Sequence, residues 1–111
     1  MGRPAVIDQG LLARCLDVLE TMIGSELRHK NVFGMRGLLR GNRMFAAVGE
    51  DSMIVKCSPA EFAAALAHDG VQRFAPGGQH LGTWVELEPA VVADDPDLRE
   101  WLEKGLRALS R

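Results

Sequence analysis

The feature that most constrains the fold is a change in the spacing of apolar residues along the chain. Residues 12–23 place leucine, cysteine, methionine and isoleucine three or four positions apart, which is the period of an amphipathic helix. From residue 32 to residue 57 the period becomes two, which is typical of strands with one buried face. The pattern therefore predicts a helix followed by a sheet. Asp8 is expected to cap the helix, and Gly24 is expected to end it.

Three strands are predicted in the alternating region, at residues 32–40, 43–48 and 53–57. Gly41 and Asn42 link the first two, and both residue types tolerate the positive φ of a two-residue hairpin turn. The polar residues 25–31 are interpreted as a connection between the first helix and the first strand.

The second half of the chain predicts two more helices and two more strands. Ser58-Pro59-Ala60-Glu61 is a capping box with proline at the first helical position, and Asp95-Pro96 repeats a cap followed by proline. Strands are predicted at residues 71–74 and 82–88. The resulting order, α-β-β-β-α-β-β-α, predicts one α+β domain over residues 1–111, with a mainly antiparallel five-stranded sheet and helices on one side. The residues expected to form the core are Phe33, Leu39, Met44, Val55, Phe62, Leu66, Trp101 and Leu102.

Composition excludes several classes of protein. Thirteen Lys and Arg against 15 Asp and Glu give a formal charge of −2, which is unlike a strongly basic protein that coats nucleic acid. No apolar run approaches the length of about 18 residues that crosses a membrane, and the N-terminal residues show no signal-peptide pattern. Two cysteines are too few for a disulfide scaffold. We therefore expect a soluble cytoplasmic protein without membrane association.

Residues that could carry chemistry are scattered. Cys15 lies in the apolar stripe of the first helix and Cys57 ends a strand, so both are expected to be structural. His29, His68 and His80 have no spacing typical of a metal site. The sequence therefore predicts no catalytic residue, no bound metal and no cofactor.

The hairpin around Gly41-Asn42 carries the main candidate surface. A two-residue turn would pair Arg40 with Arg43, Leu38 with Phe45, and Arg36 with Ala47. Alternation then assigns a mixed set of basic and apolar residues to one exposed face, which we call the basic hairpin face: Arg36, Leu38, Arg40, Arg43, Phe45, Ile54 and Lys56.

Three interpretations of the basic hairpin face stay open. Long arginine stems can simply cover a half-exposed sheet. The face can be an interface with a protein partner, including a second copy of the chain in a homodimer. It can also bind nucleic acid, but weakly, because residues 28–56 carry only six Lys and Arg and the whole chain is acidic.

Several short segments resemble the N-terminal domain of the TfoX/Sxy proteins. They are residues 30–35, 41–45, 53–56, 82–87 and 98–102, and together they extend over nearly the whole chain. The family's Met-Phe-Gly-Gly hallmark corresponds here to Val32-Phe33-Gly34-Met35, and Gly78-Gln79-His80 stands where the family has a Gly-Arg pair.

The resemblance implies a two-layer α-β3-α-β2-α fold similar to that of secretion chaperones. Long family members are linked to the regulation of competence for DNA uptake and carry a further C-terminal domain, which is not expected here. The family has no known catalytic residues for this domain. The resemblance therefore implies a non-enzymatic regulatory or protein-interaction module, with a nucleic-acid-binding regulator as the alternative.

Overall fold

The computed structural model describes residues 6–110. Residues 1–5, at which the absence of a signal-peptide pattern was in part predicted, lie outside it. The helices are α1 (Gln9–Ile23), α2 (Pro59–Leu66) and α3 (Asp95–Ala108), and the strands are β1 (Leu27–Val32), β2 (Met35–Arg40), β3 (Arg43–Val48), β4 (Met53–Lys56), β5 (Val71–Arg73) and β6 (Trp84–Leu87). All neighbouring strands are antiparallel, in the order β1-β2-β3-β4-β6-β5. The predicted α+β class is confirmed, with six strands rather than five.

The additional strand is β1, which comes from the polar segment that was predicted to be a connection. Its residues 28–31 are all exposed, so the segment has no buried face and no alternation to reveal it. It forms a strand because the chain reverses at the Phe33-Gly34 turn, so that β2 runs back beside it and the two pair antiparallel. This turn also divides the predicted strand 32–40 into the end of β1 and the whole of β2.

The helix starts follow the predicted caps closely. The Leu11 amide donates to the Asp8 carboxylate at 3.0 Å, and the Glu61 amide donates to the Ser58 hydroxyl at 3.3 Å. The third helix differs slightly, because its N-cap position is Asp94 rather than Asp95 and no side chain caps it. The side-chain caps at Asp8 and Ser58 thus set the residues at which α1 and α2 begin.

The main core lies between the helices and one face of the sheet. Residues of α1 and α3 pack there against Leu38, Met53, Val55 and Val85, each fully buried. Of the predicted core residues, Leu39, Val55, Trp101 and Leu102 are buried, and Met44, Phe62 and Leu66 are half-buried. The expectation for Phe33 is wrong, because its side chain is 85% exposed.

A bulge in β3 changes the predicted hairpin register. Arg40 pairs with Arg43 as predicted, and Leu39 pairs with Met44, but Leu38 pairs with Ala46 because Phe45 is an extra residue on its strand. The predicted pairs of Leu38 with Phe45 and of Arg36 with Ala47 are therefore wrong. One extra residue lets both Phe45 and Ala46 join the core under the helices.

Within residues 6–110, none of the helices is long and apolar enough to cross a membrane.

Candidate interaction surfaces

The seven residues of the basic hairpin face do not form one surface. Leu38, Phe45 and Ile54 are buried, with 0–2% of their surface exposed. Leu38 and Phe45 belong to the core on the helix-covered face of the sheet, whereas Ile54 lies on the opposite, helix-free face. The bulge at Phe45 breaks the predicted alternation and so places Ile54 on the opposite face from Phe45. Leu38 is buried for another reason, because its side of β2 faces the helices rather than solvent. The apolar members of the basic hairpin face are therefore not accessible to a partner.

The basic members of that set are separated as well. Arg36 donates to His29 Nδ1 and to Asn31 Oδ1, both at 2.8 Å, and Arg40 forms an ion pair with Glu26 at 3.0 Å. Arg43 and Lys56 make no ion pair within the described residues. Arg36 and Arg40 thus have hydrogen-bond or ion-pair partners within the protein, as expected of side chains that cover a half-exposed sheet.

An apolar groove lies beside the helix-free face and was not predicted. It has a volume of about 400 Å³, and we call it the Phe33 groove after the exposed phenylalanine that lines it. The lining residues are Phe33, Met35, Phe74, Pro76 and Leu81. The loop between β5 and β6 supplies Phe74, Pro76 and Leu81, so this loop returns over the helix-free face toward the β1–β2 turn.

Two elements hold the groove in shape. On the loop side, the Leu81 amide donates to the Phe74 carbonyl at 3.0 Å, and the Phe74 amide donates to the Trp84 carbonyl at 3.0 Å. On the turn side, Met35 packs near Gly49, where an added Cβ would lie 3.1 Å from the Met35 methyl group. The groove therefore has a loop held by backbone hydrogen bonds as one wall, and the closely packed Met35 side chain in the other.

Phe33 is the exposed wall of the groove and has an unusual backbone conformation. Its φ is +54°, and that of Gly34 is +77°, so the pair forms a two-residue turn with both residues left-handed. Asn-Gly is the preferred sequence for such a turn, and a bulky residue at positive φ is uncommon. The sequence did contain a signal: Phe-Gly followed by Met at position 35 fits the start of a new strand after a short turn.

The side chains that could act as nucleophiles or metal ligands are either buried or not grouped together. Burial raises the pKa of the Cys15 thiol to about 12 and that of Cys57 to about 11. His68 makes an edge contact with Trp101 at 5.4 Å, and His80 lies 3.2 Å from Arg73. Among residues 6–110, no three His, Cys, Asp or Glu side chains are grouped as metal ligands would be.

Comparison with known proteins gives one result. A family model described as the TfoX N-terminal domain matches residues 19–109. The match extends from the middle of α1 to the end of α3 and includes every strand. Neither the curated proteins nor the solved structures include a significant match.

Proposed function

The chain belongs to the TfoX N-terminal domain family, and we propose that it is a non-enzymatic regulatory module that acts by protein contact and forms a homodimer through the Phe33 groove. The observation that carries this proposal is the pairing of a protruding aromatic ring with an apolar groove on the same surface. A two-fold dimer needs a patch that is complementary to itself. The ring of one copy can enter the groove of the other, and the reverse contact is then made at the same time.

Apolar burial favours a second copy as the occupant. Phe33 and Leu81 are 85% and 44% exposed, and none of the five lining residues carries a charge. Burying two phenylalanine and two leucine side chains is worth about 5–8 kcal/mol. Association costs at least about 4 kcal/mol of translational and rotational freedom, which leaves about 4 kcal/mol at most, so we expect a weak dimer with a Kd of about 1 mM.

The burial of the thiols supports the non-enzymatic part of the proposal. A cysteine nucleophile acts as the thiolate and needs access to its substrate. Cys15 and Cys57 are at most 1% exposed, and their raised pKa values keep both protonated at neutral pH. Both therefore behave as small apolar core residues.

Sedimentation equilibrium tests the proposal. We expect the wild-type chain to change from monomer at about 10 µM to a monomer–dimer mixture at about 500 µM, with little dependence on salt because the contact is apolar. Phe33→Asn and Leu81→Ser should remain monomeric, because each removes apolar surface from the contact. Ala63→Ser, on the exposed side of α2, is the control and should dimerise like the wild type. A wild-type chain that stays monomeric at 500 µM contradicts the proposal, as does normal dimerisation of Phe33→Asn.

A second candidate function is nucleic-acid binding, and one observation favours it. Arg28, Lys30, Arg43 and Lys56 have no acidic partner within residues 6–110. Four cations on an acidic chain predict a Kd for duplex DNA no tighter than about 10⁻⁵ M at physiological salt. A fluorescence titration at two salt concentrations measures it. A tighter complex with a steep salt dependence would make nucleic acid the main partner instead.

A further inference from the structure

The first strand forms a long, exposed edge of the sheet. β1 pairs with β2 on one side and with no other strand of the described residues. β1 has six residues, of which 28–31 are exposed, whereas the opposite edge strand, β5, has only three residues. An edge of this kind presents a row of unpaired backbone groups that can pair with another chain.

The hydrogen-bond pattern shows which backbone groups face outward. Val32 and Met35 flank the two-residue turn, so they form a hydrogen-bonded pair, and such pairs recur at every second residue. The Gly41 amide, which donates to the Glu26 carbonyl at 2.7 Å, follows the same alternation. The amides and carbonyls of His29 and Asn31 therefore point away from the sheet and are available to a further strand, whereas the Leu27 amide already donates to the Gly24 carbonyl.

On the helix-covered side of β1, the side chains of His29 and Asn31 are held toward the neighbouring strand β2 and do not cover the open edge of the sheet. Arg36, on the neighbouring strand β2, donates to both His29 and Asn31 at 2.8 Å. These contacts draw the two side chains inward toward β2. The outward backbone groups of the same two residues are thereby left accessible.

The charge of the edge selects the kind of strand that can pair with it. Arg28 and Lys30 lie on the helix-free face, opposite Leu39 and Gly37, and neither forms an ion pair within residues 6–110. Like charges directly opposite each other destabilise a pair of strands, whereas opposite charges stabilise it. A second β1 strand would bring basic side chains together, so the edge disfavours a second copy and favours an acidic strand.

We propose that the outer edge of β1 binds an extended acidic segment of a partner protein, which adds to the sheet as a seventh, antiparallel or parallel strand. Backbone hydrogen bonds to His29 and Asn31 would supply the pairing, and acidic side chains opposite Arg28 and Lys30 would supply the selectivity. This surface is separate from the Phe33 groove, so the inference stands whether or not the chain forms a dimer.

The test uses a capped ten-residue peptide that alternates valine and glutamate, followed by fluorescence anisotropy and by NMR of the labelled chain. We expect saturable binding, with slower hydrogen exchange at the amides of His29 and Asn31. Lys30→Glu and Arg28→Glu should each weaken binding three- to ten-fold. Arg99→Gln, on the exposed side of α3, is the charge control and should bind like the wild type.

Two altered probes separate strand addition from simple charge attraction. The same peptide, N-methylated at two successive central residues, keeps its charge but cannot pair along its backbone, and it should lose most of its affinity. A valine–lysine peptide should not bind. Equal binding of the N-methylated peptide, or no protection of the β1 amides, overturns the inference. A single-stranded oligonucleotide that binds the same edge more tightly than the acidic peptide also overturns it.

Discussion

Phe33 shows how one residue can work against the stability of the fold that holds it. Its left-handed backbone costs an ordinary residue about 1–2 kcal/mol, and its ring gains almost nothing from burial because 85% of it is exposed. Strained, exposed residues of this kind are found where a surface is used for binding. The strained turn fits the proposed contact of the Phe33 ring with a second copy of the chain.

Phe33→Asn should raise the stability of the monomer. Asparagine tolerates positive φ and forms the preferred Asn-Gly turn with Gly34, so the free energy of unfolding should increase by about 1 kcal/mol. Urea denaturation at low protein concentration, where the chain is monomeric, measures the change. A substitution that destabilises the monomer would show that the ring supports the fold instead.

At the scale of elements, α3 approaches the bulge of β3 closely at Gly105. A Cβ added at Gly105 would lie 2.9 Å from both the ring and the carbonyl oxygen of Phe45, and 3.3 Å from Val55. The bulge places Phe45 under the helix, and the glycine lets the helix approach the strand at that point. Sequence position alone gives no reason for a glycine in the last turns of a helix.

Gly105→Ala should destabilise the protein although alanine favours helices. Alanine gains about 1 kcal/mol in helix propensity, but the clash with a backbone carbonyl forces α3 away from the sheet at a cost of about 1–3 kcal/mol. We expect a net loss of about 1 kcal/mol by thermal or urea denaturation. Ala13→Gly, on the exposed side of α1, is the control for helix propensity alone, and a stabilised Gly105→Ala would disprove the close contact.

At the scale of the whole molecule, two ion pairs connect helices that are distant in sequence. Arg14 donates to Asp95 at 2.9 Å and to two carbonyls before α3, which ties α1 to the start of α3. Arg107 donates two hydrogen bonds to Glu61, at 2.8 and 3.1 Å, which ties the end of α3 to the start of α2. The hydrogen bonds from Arg107 hold the pKa of Glu61 below its usual value of 4.5.

The lowered pKa of Glu61 predicts an acid-dependent loss of stability. Since the folded state favours the ionised carboxylate, its contribution is present above about pH 4.5 and disappears as the pH falls through the lowered folded-state pKa. Glu61→Gln should therefore be less stable than the wild type by about 0.5–1 kcal/mol at pH 7, and the difference should shrink as the pH falls below about 4.5. Urea denaturation across this range measures the difference, and a constant gap at all pH values would contradict the assignment.

The fold class could be predicted from the sequence because its signals are local. The helical period of α1, the cap at Ser58 and the Gly41-Asn42 turn each depend on residues close together in the chain. The candidate site could not be predicted in the same way. Its prediction required the correct face of every strand, and one extra residue in β3 was enough to change which side chains shared a face.

The sequence by itself determined the α+β order of elements, most of their boundaries and the two-residue hairpin, since apolar period and turn chemistry act over a few residues. The tertiary structure alone decided that residues 27–32 form an edge strand, because an exposed strand is defined by its neighbour and not by its own pattern. It also decided the bulge at Phe45 and the groove beside Phe33. Both depend on how segments far apart in the chain pack against one another, and local sequence patterns do not predict such packing.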